Sequence, residues 1–303
     1  MHRMETNDIE LGVIVPAYNQ GKFLKETLFS LLDQSYSNLR IVVINDGSFD
    51  NSQEVLKSFE DEARIAIITN ANNLGESESV NLGWRAIQSR YVAVVSGDDP
   101  QNLEWAQGMM DFIKKNPGAV GYYPNLQIID DSDVVIKVVN LKNWSSREAK
   151  ERLLCIASAG TVFNRNLLPS DFLPRVSGVT YPSDLIQILN IANHGDLKRV
   201  DGVFGVWRES AIGMTATLSI VTKVHDLHES ISNWILENTN TNSELNINRV
   251  KANLYAQMWK LYRKEFSLIE SASRMKKYVK LSYFFMPRHQ FNIARAIWEY
   301  YFF

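Results

Sequence analysis

With 303 residues, 45% hydrophobic and 22% charged, the chain has the balance of an ordinary globular protein, long enough for one large or two modest domains. A formal net charge of -2 gives no global basic field for nucleic acid, and the single cysteine, Cys155, excludes an internal disulfide framework. No basic-then-apolar leader and no bilayer-length apolar run is visible, so the expectation is a cytoplasmic protein, soluble or held peripherally at the inner face of a membrane.

Short Val- and Ile-rich runs at 11–15, 40–44, 64–68 and 91–95 alternate with segments of helical spacing. In the first of these segments Leu24, Leu28, Leu31 and Leu32 fall on one face. Strands buried on both sides and alternating with helices predict a parallel sheet with right-handed crossovers. In such sheets ligands gather beyond the carboxyl ends of the strands. Pro16 to Asn19, Asp46, Asn72 to Gly75 and Asp98-Asp99 all lie at such ends, so four loops are expected to converge on one crevice.

After a helix near 101–115 the pattern changes to alternating runs at 119–123, 126–130 and 134–139. Asp130-Asp131-Ser132-Asp133 forms a turn between the last two, which implies a mixed extension of the sheet. A helix near 145–153, an apolar run at 159–163, a helix from Ser183 and a strand at about 198–207 follow. From about 217 the chain turns helical: Ile247, Val250, Leu254, Met258 and Leu261 keep helical spacing after a polar, Asn-rich break at 237–246. The expected division is a domain over 1–216, with halves at about 9–100 and 101–216, and a helical region over 217–303.

Several residues carry chemistry by type and place. Asp46, before Gly47-Ser48, fits a turn or helix cap as well as a ligand contact. The adjacent carboxylates Asp98 and Asp99 repel each other, and a divalent cation with hard oxygen ligands, Mg2+ or Mn2+, would neutralise them. Asp184 lies at the start of a helix, where the helix dipole alone favours a carboxylate. His225 and His228 lack a matching third ligand. From Glu244 onward eleven basic residues face four acidic ones, interleaved after Lys276 with aromatics from Tyr278 to Phe303. That composition suits an anionic membrane face; core packing or a homodimer contact is the alternative.

From about Leu11 to about Thr215 the chain resembles the family-2 glycosyltransferases. Val13-Ile14-Val15-Pro16-Ala17-Tyr18-Asn19 is similar to their "VIVPxYN" strand, Asn45-Asp46-Gly47-Ser48-Phe49-Asp50 to "DDGSxD", and Asn73-Leu74-Gly75 to "NxG". Ser96-Gly97-Asp98-Asp99 matches "DxDD", Ser183-Asp184 matches "ED", and Trp207-Arg208-Glu209-Ser210 with Gly213-Met214-Thr215 looks like "YRxHxxSxT". The resemblance implies a GT-A type α/β fold: a largely parallel central sheet flanked by helices, with a helical C-terminal extension. It also implies a donor site of Pro16, Ala17, Tyr18, Asn19, Asp46, Asn73, Gly75, Asn81, Ser96, Gly97, Asp98 and Arg208. Metal would sit on Asp98 and Asp99, and Asp184 would be the general base. Asp46 would accept from the base ring and Arg208 would pair with phosphate.

The implied activity is metal-dependent, inverting transfer of one sugar from a nucleotide-diphosphate donor, UDP-linked by preference, to a hydroxyl of a cell-surface glycan or lipid-linked saccharide. The "QxxRW" element of processive members is absent, which argues for single addition. Asn45, Val80, Ser96, Ser183 and Ser210 depart from the family pattern. A non-catalytic nucleotide-sugar-binding or scaffold relative is therefore the competing reading. A sugar-nucleotide nucleotidyltransferase is the weaker one, because the chain opens on Pro16-Ala17-Tyr18-Asn19 instead of a glycine-rich phosphate loop.

Overall fold

The computed structural model describes residues 10–155, 159–210, 213–238 and 245–275. They divide into two compact units. The first holds the chain up to Trp144 together with 159–180 and 190–210; the second holds 145–155, 181–189 and the helices from 213 onward.

The first unit is built on one eight-stranded sheet ordered β3-β2-β1-β4-β7-β5-β6, with β8 pairing β5. β1 (Leu11–Ala17), β2 (Leu39–Asn45), β3 (Ile65–Thr69) and β4 (Tyr91–Val94) pair in parallel, as the spacing of the apolar runs predicts. Every residue of β1 is buried. Its alternation serves two faces: Val13 and Val15 join a core with Leu24, Leu28 and Leu31 of α1 (Gly21–Leu32) and Met109 and Ile113 of α4 (Trp105–Lys115). Ile14 meets α3 (Glu76–Ala86) on the other face, where a Cβ at Gly83 would come within 2.4 Å of its Cγ2. Helices on both faces are the condition under which an all-apolar parallel strand is stable. A short helix, α2 (Ser52–Lys57), links β2 to β3.

The second half of the sheet is mixed. β7 (Val162–Asn164) runs antiparallel to β4 and β5, β6 (Val135–Val139) forms a hairpin with β5, and β8 (Leu197–Arg208) lies parallel to β5. The runs expected separately at 119–123 and 126–130 are one strand, β5 (Gly121–Ile129). Pro124, which lacks an N–H, interrupts the pattern without ending the strand. The irregularity is absorbed by β8: Pro124 pairs with Val200 and Asn125 with Phe204. A single 3-10 turn (Arg165–Leu167) follows β7.

The second unit contains α5 (Ser146–Arg152), most of α6 (Ser183–Ile191), α7 (Met214–Thr217), α8 (Ile220–Asn238), α9 (Ile247–Glu265) and α10 (Leu268–Met275). Val224, Leu227, Ile231 and Trp234 of α8 are buried; of the residues expected on one face of α9, Val250, Leu254 and Met258 are buried and Ile247 and Leu261 half-buried. α5 belongs with these helices through Glu151, which is 2% exposed. Its carboxylate accepts from Arg147 Nε at 3.0 Å and Arg249 Nη1 at 2.9 Å, and its carbonyl accepts from Asn253 Nδ2. The helical unit thus takes two segments from within 1–216. The basic, aromatic stretch 276–303 lies outside the described residues.

Candidate active site

In the strand order β2-β1-β4, chain connectivity reverses direction at β1, so the topological switch point, where ligands gather in such sheets, lies at the tips of β1 and β4. The two tips are joined by main chain: Gly97 N–H donates to Pro16 O at 3.1 Å, and Val95 N–H to Ile14 O at 2.9 Å. Gln20 Nε2 donates to Ser96 Oγ at 3.3 Å. A Cβ at Gly97 would sit 2.5 Å from Gln20 Oε1 and 3.1 Å from the Ala17 Cβ, so a side chain there would displace the Gln20 amide.

The β1 and β2 tips are also tied together. Asn19 adopts a left-handed conformation (φ 52°); its N–H donates to Ser48 Oγ and its Oδ1 accepts from Phe49 N–H, each at 3.0 Å. The first amides of α1, which have no intrahelical acceptor, are met from the β2 loop: Gly21 N–H by Asp50 Oδ2 at 2.9 Å, Gln20 N–H by Ser52 Oγ at 3.2 Å. On this frame Pro16 and Ala17 are buried, while the Tyr18 ring is 41% exposed and meets Phe49, 82% exposed, edge to face at 6.0 Å.

Asp46 is only 2% exposed. Its Oδ1 accepts from Asn70 Nδ2 at 2.8 Å and Leu74 N–H at 2.9 Å, and its Oδ2 from Gly75 N–H at 2.8 Å. A carboxylate offers about four acceptor positions, so the role expected for it, accepting from a nucleobase, is largely displaced by the loop 70–75. Gly47 (φ 67°) lets that loop close: a Cβ there would be 2.5 Å from the Asn72 carbonyl carbon. Asn73 Oδ1 accepts from Gly75 N–H at 2.8 Å, forming a local turn. Asn81 is likewise turned inward. It is 1% exposed and exchanges two hydrogen bonds of 3.0 Å with the Arg175 main chain, fixing the segment after β7.

The acidic pair at the β4 tip diverges. Asp99 is 5% exposed, and its Oδ1 accepts from Arg208 N–H at 2.7 Å. Asp98 is half-buried and accepts from Ser96 Oγ at 2.5 Å. Burial pushes the Asp98 carboxyl above the usual carboxylate range, partly opposed by the Ser96 hydrogen bond and by the Arg208 charge. A carboxylate held in that state favours an added cation. Among the described residues no three His, Cys, Asp or Glu side chains gather into a metal-holding group. Asp98 alone would be a single protein ligand, so a hard cation such as Mg2+ would take most of its ligands from water and a ligand's phosphates.

Arg208 departs most from expectation. Its side chain is fully buried, its Nε donates to Asp98 O at 2.8 Å and its Nη1 to Asp130 O at 2.7 Å. Its Nη2 lies 2.6 Å from Asp133 Oδ1 and 3.3 Å from Glu26 Oε2, and Phe23 stacks 4.3 Å from its guanidinium carbon. The fork expected to pair with phosphate is thus taken up inside the first unit. Glu26 is itself pushed upward, by burial and by the neighbouring Asp133 charge, with Arg208 opposing. The sequence reading gave no site role to Asp50, Asp133 or Glu26: Asp50 stood only as the closing residue of a motif, Asp133 only in a turn, and Glu26 carried no signal.

Asp184 lies in the second unit, in the first turn of α6, and is exposed between the buried Ser183 and Leu185. Ile186 N–H bonds back to Pro182 O, starting the helix.

The parallel four-strand half with its mixed extension has the GT-A type α/β fold, shared with the solved structures below. Residues 12–158 match the family described as Glycosyl transferase family 2. It is similar to an uncharacterized glycosyltransferase of Haemophilus influenzae, 34% identical over 124 residues, 41% of this chain and 38% of the relative. Glycosyltransferase GlyG of Streptococcus pneumoniae is 34% identical over 90 residues, covering 29% of this chain and 30% of the relative. Each match spans well under half of the relative. Among solved structures, Staphylococcus aureus TarS 1-349 in complex with UDP-GlcNAc aligns with TM-score 0.65 at 16% identity, over 96% of this chain and 80% of that one. The mannosyltransferase PcManGT of Pyrobaculum calidifontis, in complex with GDP-Man and Mn2+, aligns with TM-score 0.60 at 15% identity, over 97% and 85%. Among the described residues no helix is long and apolar enough to cross a membrane.

Proposed function

We propose that the protein is a metal-dependent, inverting glycosyltransferase that moves one sugar from a nucleotide-diphosphate donor to a hydroxyl of a cell-surface glycan or lipid-linked saccharide. The observation that carries this reading is the gathering of the Tyr18 turn, the 70–75 loop and the half-buried Asp98 at one carboxyl edge of the parallel strands. UDP-sugars are the first candidates and GDP-sugars the second, following the ligands of TarS and PcManGT.

In this mechanism the exposed Tyr18 ring offers a stacking face to the base, which is worth about 1–3 kcal/mol in comparable contacts. Asp98 would hold a divalent cation, which would supply charge neutralisation for the departing diphosphate. Asp184 accepts the proton of the acceptor hydroxyl as its oxygen bonds to the anomeric carbon. The bond from that carbon to the phosphate oxygen breaks on the opposite face, and the nucleoside diphosphate leaves with the electron pair. One displacement inverts the anomeric configuration. The basic, aromatic composition of 276–303 supports contact with an anionic membrane surface carrying the acceptor.

The test is turnover of a UDP- and GDP-sugar panel with Mn2+, with the product anomer read by NMR, for the wild type and Asp184→Asn. The expected result is an inverted product, and in the variant a loss of roughly 10²- to 10⁴-fold in kcat with donor affinity retained. A retained configuration, or an unchanged kcat in the variant, would overturn the assignment of Asp184. Donor binding with no transfer by the wild type would favour the non-catalytic reading.

A further inference from the structure

Arg208 is the last residue of β8 and pairs in register with Ile129, the last residue of the parallel neighbour β5. It therefore stands where two parallel strands end together, beside the turn that opens the β5–β6 hairpin. Three separate pieces of chain meet on it. The β4 tip is held twice, through Asp99 Oδ1 on its N–H and Asp98 O on its Nε. The hairpin turn is held by Asp130 O and Asp133, and α1 by Glu26 and the Phe23 ring.

The hairpin turn is shaped for this contact. Asp130 Oδ1 accepts from Ser132 N–H and Val134 N–H, closing the turn on itself. Asp133 takes a left-handed conformation (φ 64°), uncommon for a residue with a side chain, and its carboxylate reaches Arg208 Nη2. Lys22 of α1 approaches the neighbouring Asp131 at 3.7 Å. Asp133 and Glu26 are about half-exposed at 52% and 45%, whereas the arginine between them has no exposure. A guanidinium buried with this many oriented acceptors has one geometry, because its fork is planar and rigid.

We propose that Arg208 is a positioning residue for the Asp98–Asp99 loop, and that Asp133 and Glu26 set its geometry from the hairpin turn and α1. The inference rests on the transferase reading for its consequence, which is the placement of Asp98 toward a cation and a diphosphate. It makes the turn Asp130–Asp133 a working part of the donor site without any contact to donor. Residues that orient a metal ligand from behind commonly change metal affinity about 10- to 100-fold when altered.

The experiment uses the full chain with Arg208→Lys, Asp133→Asn and Glu26→Gln, and reads hydrogen exchange at the amides of 96–99 together with the half-saturating Mn2+ concentration in the presence of UDP or GDP. Exchange is expected to rise about tenfold at 96–99 in Arg208→Lys and Asp133→Asn, with less change in Glu26→Gln, and half-saturating Mn2+ to rise about tenfold in the first two. Thermal midpoints report folding. If Arg208→Lys does not fold, the two half-exposed acceptors carry the same readouts. Folded Asp133→Asn and Arg208→Lys proteins with wild-type exchange at 96–99 would overturn the proposal. If the wild type binds neither nucleotide nor Mn2+, the transferase reading fails, and exchange at 96–99 still decides the positioning role.

Discussion

The tips of β2 and β4 each end in acidic residues that look alike in sequence, yet their environments differ. At β2, Asp46 has three acceptor positions filled by Asn70, Leu74 and Gly75 and is almost wholly buried. At β4, Asp98 has one side-chain donor, Ser96, and keeps partial exposure, while Asp99 turns back onto the Arg208 main chain. Position at the carboxyl end of a parallel strand thus places a carboxylate near a ligand crevice, but the count of its lone pairs already met decides whether it serves the ligand or the scaffold.

Substitutions sharpen the contrast, and the largest effect is expected at the open carboxylate. Asp98→Ala should lower metal-dependent turnover by about 10²- to 10³-fold, as removing a preorganised electrostatic group does, with little change in thermal midpoint. EDTA added to the wild type should reproduce the kinetic loss. At the closed carboxylate the order reverses. Asp46→Ala removes the buried carboxylate on which Asn70, Leu74 and Gly75 converge and should cost on the order of 2 kcal/mol of stability, read as a lower urea midpoint with an unchanged slope.

Smaller effects follow from the parts around these two. Asn81→Ala removes the paired bonds to Arg175 and should cost about 1–2 kcal/mol, with faster exchange of the Arg175 amide as its signature. Tyr18→Ala, at an exposed ring, should change stability by less than about 0.5 kcal/mol while weakening nucleotide binding about tenfold, consistent with the loss of one stacked base. If Asp46→Ala proves stable and loses nucleotide affinity, the contrast between the tips fails at its closed end.

Much of this was legible before the structure. The strands β1 to β4 were written in Val and Ile runs that few other arrangements accommodate, and the crevice followed from where those runs stop. The sequence reading separated the runs at 119–123 and 126–130, which flank Pro124-Asn125, and only the compensating offset in β8 shows why they form one strand. Arg208 was misplaced for a physical reason: a guanidinium fork suits carboxylate, carbonyl and phosphate oxygens alike, and sequence does not say which of these will surround it. The meeting of Glu26 with Asp133 was invisible because it depends on α1 and the β5–β6 turn closing over one side chain. The helical unit was anticipated after 217, but the recruitment of α5 depends on Glu151 finding Arg249 almost a hundred residues away.

The central claim is that the β1–β4 crevice takes a nucleotide diphosphate with a divalent cation. Thermal unfolding of the wild type with UDP, GDP, ADP and the corresponding sugars, in Mn2+ or in EDTA, tests it directly, because a ligand at 100 times its Kd stabilises the native state by about 2.7 kcal/mol. The account predicts that the midpoint rises by several degrees with one nucleotide class in Mn2+, that EDTA abolishes the rise, and that Asp98→Ala loses it. An unchanged midpoint with every nucleotide at saturating concentration, in the presence of Mn2+, would contradict it.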